Sequence, residues 1–149
     1  LYISKIALKK LRLKKILWVI TKKNPLKNKP YLKLKERMKL SKEITKKNKK
    51  ISIKYFDDKI RSTSTFNLLN YIKGKTKADL FFLMGSDNLK KFHKWKNWKQ
   101  IPKLAKIVVF PRKNHSRNSI ATNNLNKKDL IYINSKKINI SSSLIRKFW

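Results

Sequence analysis

Three short stretches combine residue types that can do chemistry. The first is Gly85-Ser86-Asp87, which directly follows the apolar run "DLFFLM". A glycine at the carboxyl end of a strand lets another group approach the backbone closely. An aspartate two residues later can accept hydrogen bonds from sugar hydroxyls or orient a metal-bound phosphate. A plainer reading makes Asp87 a helix N-cap and Gly85 turn punctuation. The second stretch is "FHKWKNW". Phe92, Trp95 and Trp98 are spaced three apart and would share one face of a helix. Phe92 and Trp98 read as core, whereas Trp95, nearer the strand end, can stack a heteroaromatic ring. His93 reads as a surface or satisfied histidine rather than an acid–base group. The third stretch is "ISSSLIR". Hydroxyl side chains and free backbone N–H groups at a helix start favour an anion. Arg146, four residues after Ser142 and three after Ser143, adds a fork of donors suited to phosphate. A simple serine cap with a surface arginine fits the same residues.

Other chemistries lack their residues. The chain holds two glycines, Gly74 and Gly85, so no glycine-rich phosphate cradle can form. It has no cysteine, which excludes disulfides and thiolate metal sites and suits a reducing cytoplasm. No cluster of histidine and acidic residues shows metal-ligand spacing, and no Ser-His-Asp set is evident. The longest apolar runs, "ILWVI" and "LFFLM", reach about a quarter of a membrane span. The formal charge of +34 invites a nucleic-acid reading. The excess is nearly all lysine, however, spread along the chain and accompanied by many asparagines and isoleucines. That composition argues for drift on a neutral surface plus a preference for anionic ligands, against a nucleic-acid interface. Oligomeric state is not readable from the sequence.

The elements that must position these residues alternate. Helical spacing covers residues 3–13, 32–47 and 63–74, the last with a hydroxyl cap and an end at Gly74. Strand-like apolar runs cover 16–21, 51–57, 79–84, 106–110 and 130–134. Residues 86–104 read as a broken helical region interrupted at Pro102, residues 114–128 as a polar loop or poorly formed helix, and residues 141–149 as a capped helix. Strands apolar throughout need cover on both faces, as in parallel sheets. The expected class is α/β, a Rossmann-like doubly wound parallel sheet in three layers. Such sheets bind ligands at the carboxyl ends of their strands. That rule points to residues 21–27, 57–65, 85–87, 111–112 and 134–143.

Taken in order, "ISKIALKKLRLKKILWVITKKNPLK", "KADLFFLMGSDNLKKFHKWKNWKQIPKLAKIVVFPR" and "INISSSLIRKFW" resemble the nicotinate-nucleotide adenylyltransferase family. These are bacterial enzymes of NAD biosynthesis within the nucleotidyltransferases that carry a His-x-Gly-His motif. Gly-Ser-Asp stands where the family has Gly-Ala-Asp, and Ile-Ser-Ser-Ser-x-Ile-Arg where it has Ile-Ser-Ser-Thr-x-Ile-Arg. The resemblance implies adenylyl transfer from ATP to nicotinate mononucleotide, with Mg²⁺ accompanying ATP, small-molecule substrates and a cytoplasmic setting. It implies ATP binding by Gly85, Ser86, Asp87, Ser141, Ser142, Ser143 and Arg146. It implies nicotinate-nucleotide binding by Ser62, Thr63, Thr65, Trp95 and Arg112. The family's Thr-x-Asp-Thr element reads Ser-Thr-Ser-Thr here, without the aspartate. The chain opens without Met, at the residue that would follow the last histidine of the motif. The expectation is therefore a single domain, residues 1–149, incomplete at its N-terminus. The first strand and both catalytic histidines would lie before residue 1, leaving this chain weak or inactive. The alternatives are a sibling adenylyltransferase acting on nicotinamide mononucleotide or phosphopantetheine, and a basic nucleic-acid-binding protein.

Overall fold

A computed structural model describes residues 1–23, 30–112 and 118–135. The chain forms two compact units, Leu1–Lys75 and Thr76–Trp149. In the first unit, α1 (Tyr2–Lys10), β1 (Ile16–Val19), α2 (Leu34–Thr45), β2 (Ile51–Lys54), α3 (Asp57–Ile60) and α4 (Thr65–Lys73) follow in order. β1 and β2 pair in parallel, Ile16 opposite Ile51 and Val19 opposite Lys54. Parallel neighbours need a long crossover, and α2 lies in it. The apolar stripe of α1 buries Ser4 and Ala7. The Ser4 hydroxyl accepts a 2.8 Å hydrogen bond from the Trp18 indole N–H, which ties α1 to β1. Lys9 and Lys10 in the last turn of α1 complement the negative end of its dipole.

Helix α4 begins as its sequence predicts, with the Ser64 hydroxyl accepting the Asn67 N–H at 3.1 Å. Its end differs. Gly74 keeps right-handed helical angles, φ −66°, instead of the left-handed cap expected of a terminal glycine. A methyl group there would meet only the Asn70 and Tyr71 carbonyl oxygens, at 3.6 and 3.7 Å. Gly74→Ala is therefore expected to be neutral or to stabilise by about 0.4–1 kcal/mol, through a less flexible unfolded chain. Urea unfolding measures it, and a loss beyond ~1 kcal/mol would contradict the open geometry.

The second unit holds β3 (Phe81–Gly85), α5 (Ser86–Lys90), α6 (Ile101–Leu104), β4 (Lys106–Phe110), α7 (Ile120–Asn124) and β5 (Leu130–Tyr132). Its sheet is parallel throughout, in the order β3-β4-β5. β4 is central, and its Ile107, Val108, Val109 and Phe110 are almost wholly buried. The unbroken apolar run is what a strand covered on both faces requires. Leu89, Phe92, Ile101 and Ala121 complete this core.

One local reading changes. Pro102 does not interrupt a helix; it lies at the start of α6, where a missing N–H costs nothing. The break comes earlier, with Trp95 extended and Asn97 left-handed at φ 51°. Asparagine tolerates that conformation better than most residues. The polar stretch before β5 contains a short helix, one of the two forms its sequence allows. Ser119 and Thr122 form a reciprocal capping box that starts α7, with hydrogen bonds of 3.2 and 2.8 Å. Among the described residues, no helix is long and apolar enough to cross a membrane.

Candidate functional site

In the second unit the carboxyl ends of β3 and β4 bring together Gly85, Ser86, Asp87 and Arg112. Gly85 closes β3 and Asp87 sits in the first turn of α5, where a carboxylate is favoured by the helix dipole. Arg112 follows β4 beyond Pro111. Asp87 Oδ1 and Arg112 Nε are 3.4 Å apart, an ion pair with both side chains about three-quarters buried. That distance is longer than an ordinary hydrogen bond. The pair lies over Gly85. A methyl group there would run into Asp87 Oδ1, and would stand 3.0 Å from Arg112 Nε and 3.3 Å from its Cγ. The backbone at Gly85, φ −83°, suits any residue. Glycine is needed for close approach rather than for conformation, and what approaches is this chain's own charge pair.

Ser86 is 1% exposed. Its hydroxyl accepts the Arg112 N–H at 3.0 Å, joining the ends of β3 and β4. The side chain thus faces the protein rather than a ligand. Ser86→Ala deprives a partly buried N–H of its acceptor and is expected to cost about 1–3 kcal/mol. A denaturant midpoint unchanged from the parent would show that water satisfies that amide instead.

The aromatic stretch gathers around Phe92, which is fully buried. Trp95 lies 5.3 Å from Phe92 at 62° and 5.9 Å from Phe82 at 69°. Trp98 lies 6.1 Å from Phe92 at 74°, with the Lys99 ammonium 5.6 Å from its ring centre. These tilted and edge-on pairings are the favoured ones for aromatic rings. Trp95 and Trp98 remain half-exposed. The three rings meet although the segment is not one helix. His93, on a short 3₁₀ turn, is half-buried, and its Nδ1 has no hydrogen-bond partner among the described residues.

In the first unit, Ser62 and Thr63 line an open hollow with Lys22, Asp57, Asp58 and Arg61. Thr65 is the first residue of α4, three positions past Ser62. Left-handed Arg61, φ 48°, ends α3 and turns the chain toward α4. The Ser62 N–H then donates to the Asp57 carbonyl at 3.1 Å, and its hydroxyl accepts the Ser64 N–H at 3.1 Å. Across the hollow, Lys22 Nζ and Asp58 Oδ1 pair at 2.5 Å. The lysine's hydrogen bond holds the Asp58 carboxyl below its usual range, and the same bond raises Lys22. Both side chains are more than half exposed, so this pair adds little to stability. Arg37 of α2 also reaches this region, donating to the Thr21 and Lys22 carbonyls. Sequence reasoning missed it. In a chain with 41 basic residues an arginine on an amphipathic helix looks ordinary.

The remaining expected site residues, Ser141, Ser142, Ser143 and Arg146, lie outside the described residues. Among the described residues no three histidine, cysteine or acidic side chains gather as a metal site. The described groups offer anion-binding charge, carboxylates suited to hydroxyl groups, an aromatic platform and small hydroxyl donors.

Residues 1–148 match the cytidylyltransferase-like family. A protein of Pelagibacter ubique named "Probable nicotinate-nucleotide adenylyltransferase" is 46% identical over 150 residues, covering 99% of this chain and 83% of that protein. A protein of the same name from Fusobacterium nucleatum is 37% identical, over 74% of this chain and 58% of its own length. The structure of Plasmodium falciparum nicotinic acid mononucleotide adenylyltransferase complexed with NaAD superposes with a TM-score of 0.75. It covers 99% of this chain and 77% of that one at 21% identity, a likeness of fold. With the five strands of the described residues in parallel pairings and helices in the crossovers, this is the Rossmann-like α/β fold. The chain belongs to the nicotinate-nucleotide adenylyltransferases, within the cytidylyltransferase-like family.

Proposed function

We propose that the protein transfers the adenylyl group of ATP to nicotinate mononucleotide, giving deamido-NAD and pyrophosphate. The observation that carries this reading is the 46% identity extending over 99% of the chain. The cluster of Gly85, Asp87 and Arg112 at the sheet's carboxyl end supports it, because open α/β sheets bind ligands there. A phosphate oxygen of nicotinate mononucleotide attacks the α-phosphorus of ATP. The bond from that phosphorus to the bridging oxygen breaks, and pyrophosphate leaves with the electron pair. No protein nucleophile takes part. Catalysis is then positioning plus stabilisation of charge on the phosphoryl oxygens.

Each residue has a part in that scheme. Asp87 accepts hydrogen bonds from ribose hydroxyls on the ATP side, and Gly85 leaves room for the Asp87–Arg112 pair above it. Ser86 acts from behind, through Arg112. Arg112 supplies positive charge at the edge of the nicotinate-nucleotide site, and Trp95 stacks the pyridine ring. Ser62, Thr63 and Thr65 offer hydroxyl donors to the nicotinate carboxylate. Ser141, Ser142, Ser143 and Arg146 hold the triphosphate. Mg²⁺ enters as part of the ATP substrate, bound mainly through phosphate oxygens, as is usual for this ion. The absence of cysteine fits a reducing cytoplasm as the setting.

The test is pyrophosphate release by the full-length protein from ATP with nicotinate mononucleotide, nicotinamide mononucleotide or phosphopantetheine. Turnover with the acid mononucleotide at least tenfold above the other two is expected. Preference for either competitor overturns the substrate assignment. Salt-dependent binding to unrelated nucleic acids, with no thermal stabilisation by nucleotides, would overturn the enzyme reading altogether.

A further inference from the structure

Arg37 of α2 makes three side-chain hydrogen bonds to main-chain carbonyls of the first unit. Its Nη1 donates to the Thr21 carbonyl at 2.8 Å, its Nη2 to the Lys22 carbonyl at 3.2 Å, and its Nε to the Leu32 carbonyl at 3.2 Å. Three main-chain acceptors from two separate stretches thus converge on one guanidinium. A planar guanidinium holds its donors in a fixed fork, whereas the three donors of a lysine ammonium radiate from one nitrogen on a flexible stem.

What the fork fixes is the carboxyl end of β1. Lys22 is held there from three sides. Arg37 takes its carbonyl, the buried Asp57 takes its N–H through Oδ2 at 2.6 Å, and Asp58 takes its ammonium. Asp57 also accepts the Ser62 N–H through its own carbonyl. The same residues therefore help to position Lys22, Ser62 and Thr63, which line one hollow.

We propose that Arg37 is a positioning residue for the nicotinate-nucleotide side of the site. Through the main chain at Thr21 and Lys22 it sets the spacing between the Lys22 ammonium and the hydroxyls of Ser62 and Thr63. This rests on the reading of Ser62 and Thr63 given above. Arg37 touches no substrate. It acts by holding part of the lining of an open hollow in place.

The experiment compares Arg37→Met and Arg37→Lys with the parent, all as full-length protein. Arg37→Met keeps the aliphatic stem and removes the fork; Arg37→Lys keeps the charge. Amide exchange at Lys22 and Lys23 is read first, because it does not depend on activity. Both variants are expected to exchange at least tenfold faster there, with exchange along β4 unchanged. Steady-state kinetics are read second. KM for nicotinate mononucleotide is expected to rise about tenfold, while KM for ATP and kcat stay within about twofold, the scale of one charge-assisted hydrogen bond. Unchanged exchange overturns the clamp. Faster exchange with an unchanged KM, or with equal rises for both substrates, overturns the positioning role. Full rescue by Arg37→Lys also overturns it, since charge alone would then suffice. If the parent itself has no adenylyltransferase activity, the proposed function fails and so does the positioning role, while exchange still decides whether Arg37 clamps β1.

Discussion

Gly85→Ala is expected to lower kcat/KM by about 10- to 100-fold, equivalent to ~1.4–2.7 kcal/mol of lost transition-state stabilisation, while the protein stays folded. The backbone accepts alanine, since φ is −83°. The difficulty is steric. The new methyl group would overlap Asp87 Oδ1 and crowd Arg112, so one or both must swing away. Both belong to side chains that are about a quarter exposed, although Asp87 Oδ1 and Arg112 Nε are themselves buried. The cost in stability should therefore stay near the low end for overpacking, about 1 kcal/mol. The cost in function is larger, because the displaced groups are the carboxylate and guanidinium assigned to the two substrates. Steady-state kinetics and thermal unfolding on the same samples separate the two. Gly85→Ala should also add little to Asp87→Ala, because its harm travels through that carboxylate. Near-parental kcat/KM would show that the Asp87–Arg112 geometry over Gly85 is dispensable.

The same pair shows what could be read in advance and what could not. β4 and the end of β3 are legible because "KIVVF" and "LFFLM" are continuous apolar runs with stops behind them, Pro111 and Gly85. Gly-Ser-Asp marks a site because glycine and aspartate are rare in this chain and fall just past a strand. The partnership of Asp87 with Arg112 is not legible. Twenty-five positions separate them, and only strand order β3-β4 makes them neighbours. Ser86 looks like a ligand-facing hydroxyl in sequence, yet its side chain turns inward to the Arg112 amide. Backbone acceptors leave no pattern in a sequence, which is also why the three carbonyls gripped by Arg37 gave no sign. The break at Trp95–Asn97 was misplaced for a related reason. Proline advertises a break, but at a helix's first turn it is a starter, while a left-handed asparagine ends a turn unannounced.

Trp95→Ala and Phe92→Ala, three residues apart in one aromatic cluster, should fail in different ways. Trp95 is half-exposed and leans on Phe92 and Phe82. Base or pyridine stacking on an aromatic side chain is worth about 1–3 kcal/mol. Removing the indole should raise KM for nicotinate mononucleotide about 5- to 150-fold and leave KM for ATP within about twofold. Trp95→Phe, which keeps a smaller ring, should fall between. Phe92 is fully buried and touches both tryptophans. Its truncation leaves a cavity at the centre of the cluster and should cost about 3–5 kcal/mol of stability. What activity survives should show both substrates weakened alike, since the whole cluster loosens. Thermal unfolding paired with KM for each substrate distinguishes a ring that receives a ligand from one that supports it. If Trp95→Ala raised both KM values equally and lowered stability as much as Phe92→Ala, Trp95 would belong to the core. The pyridine ring would then have to be held elsewhere.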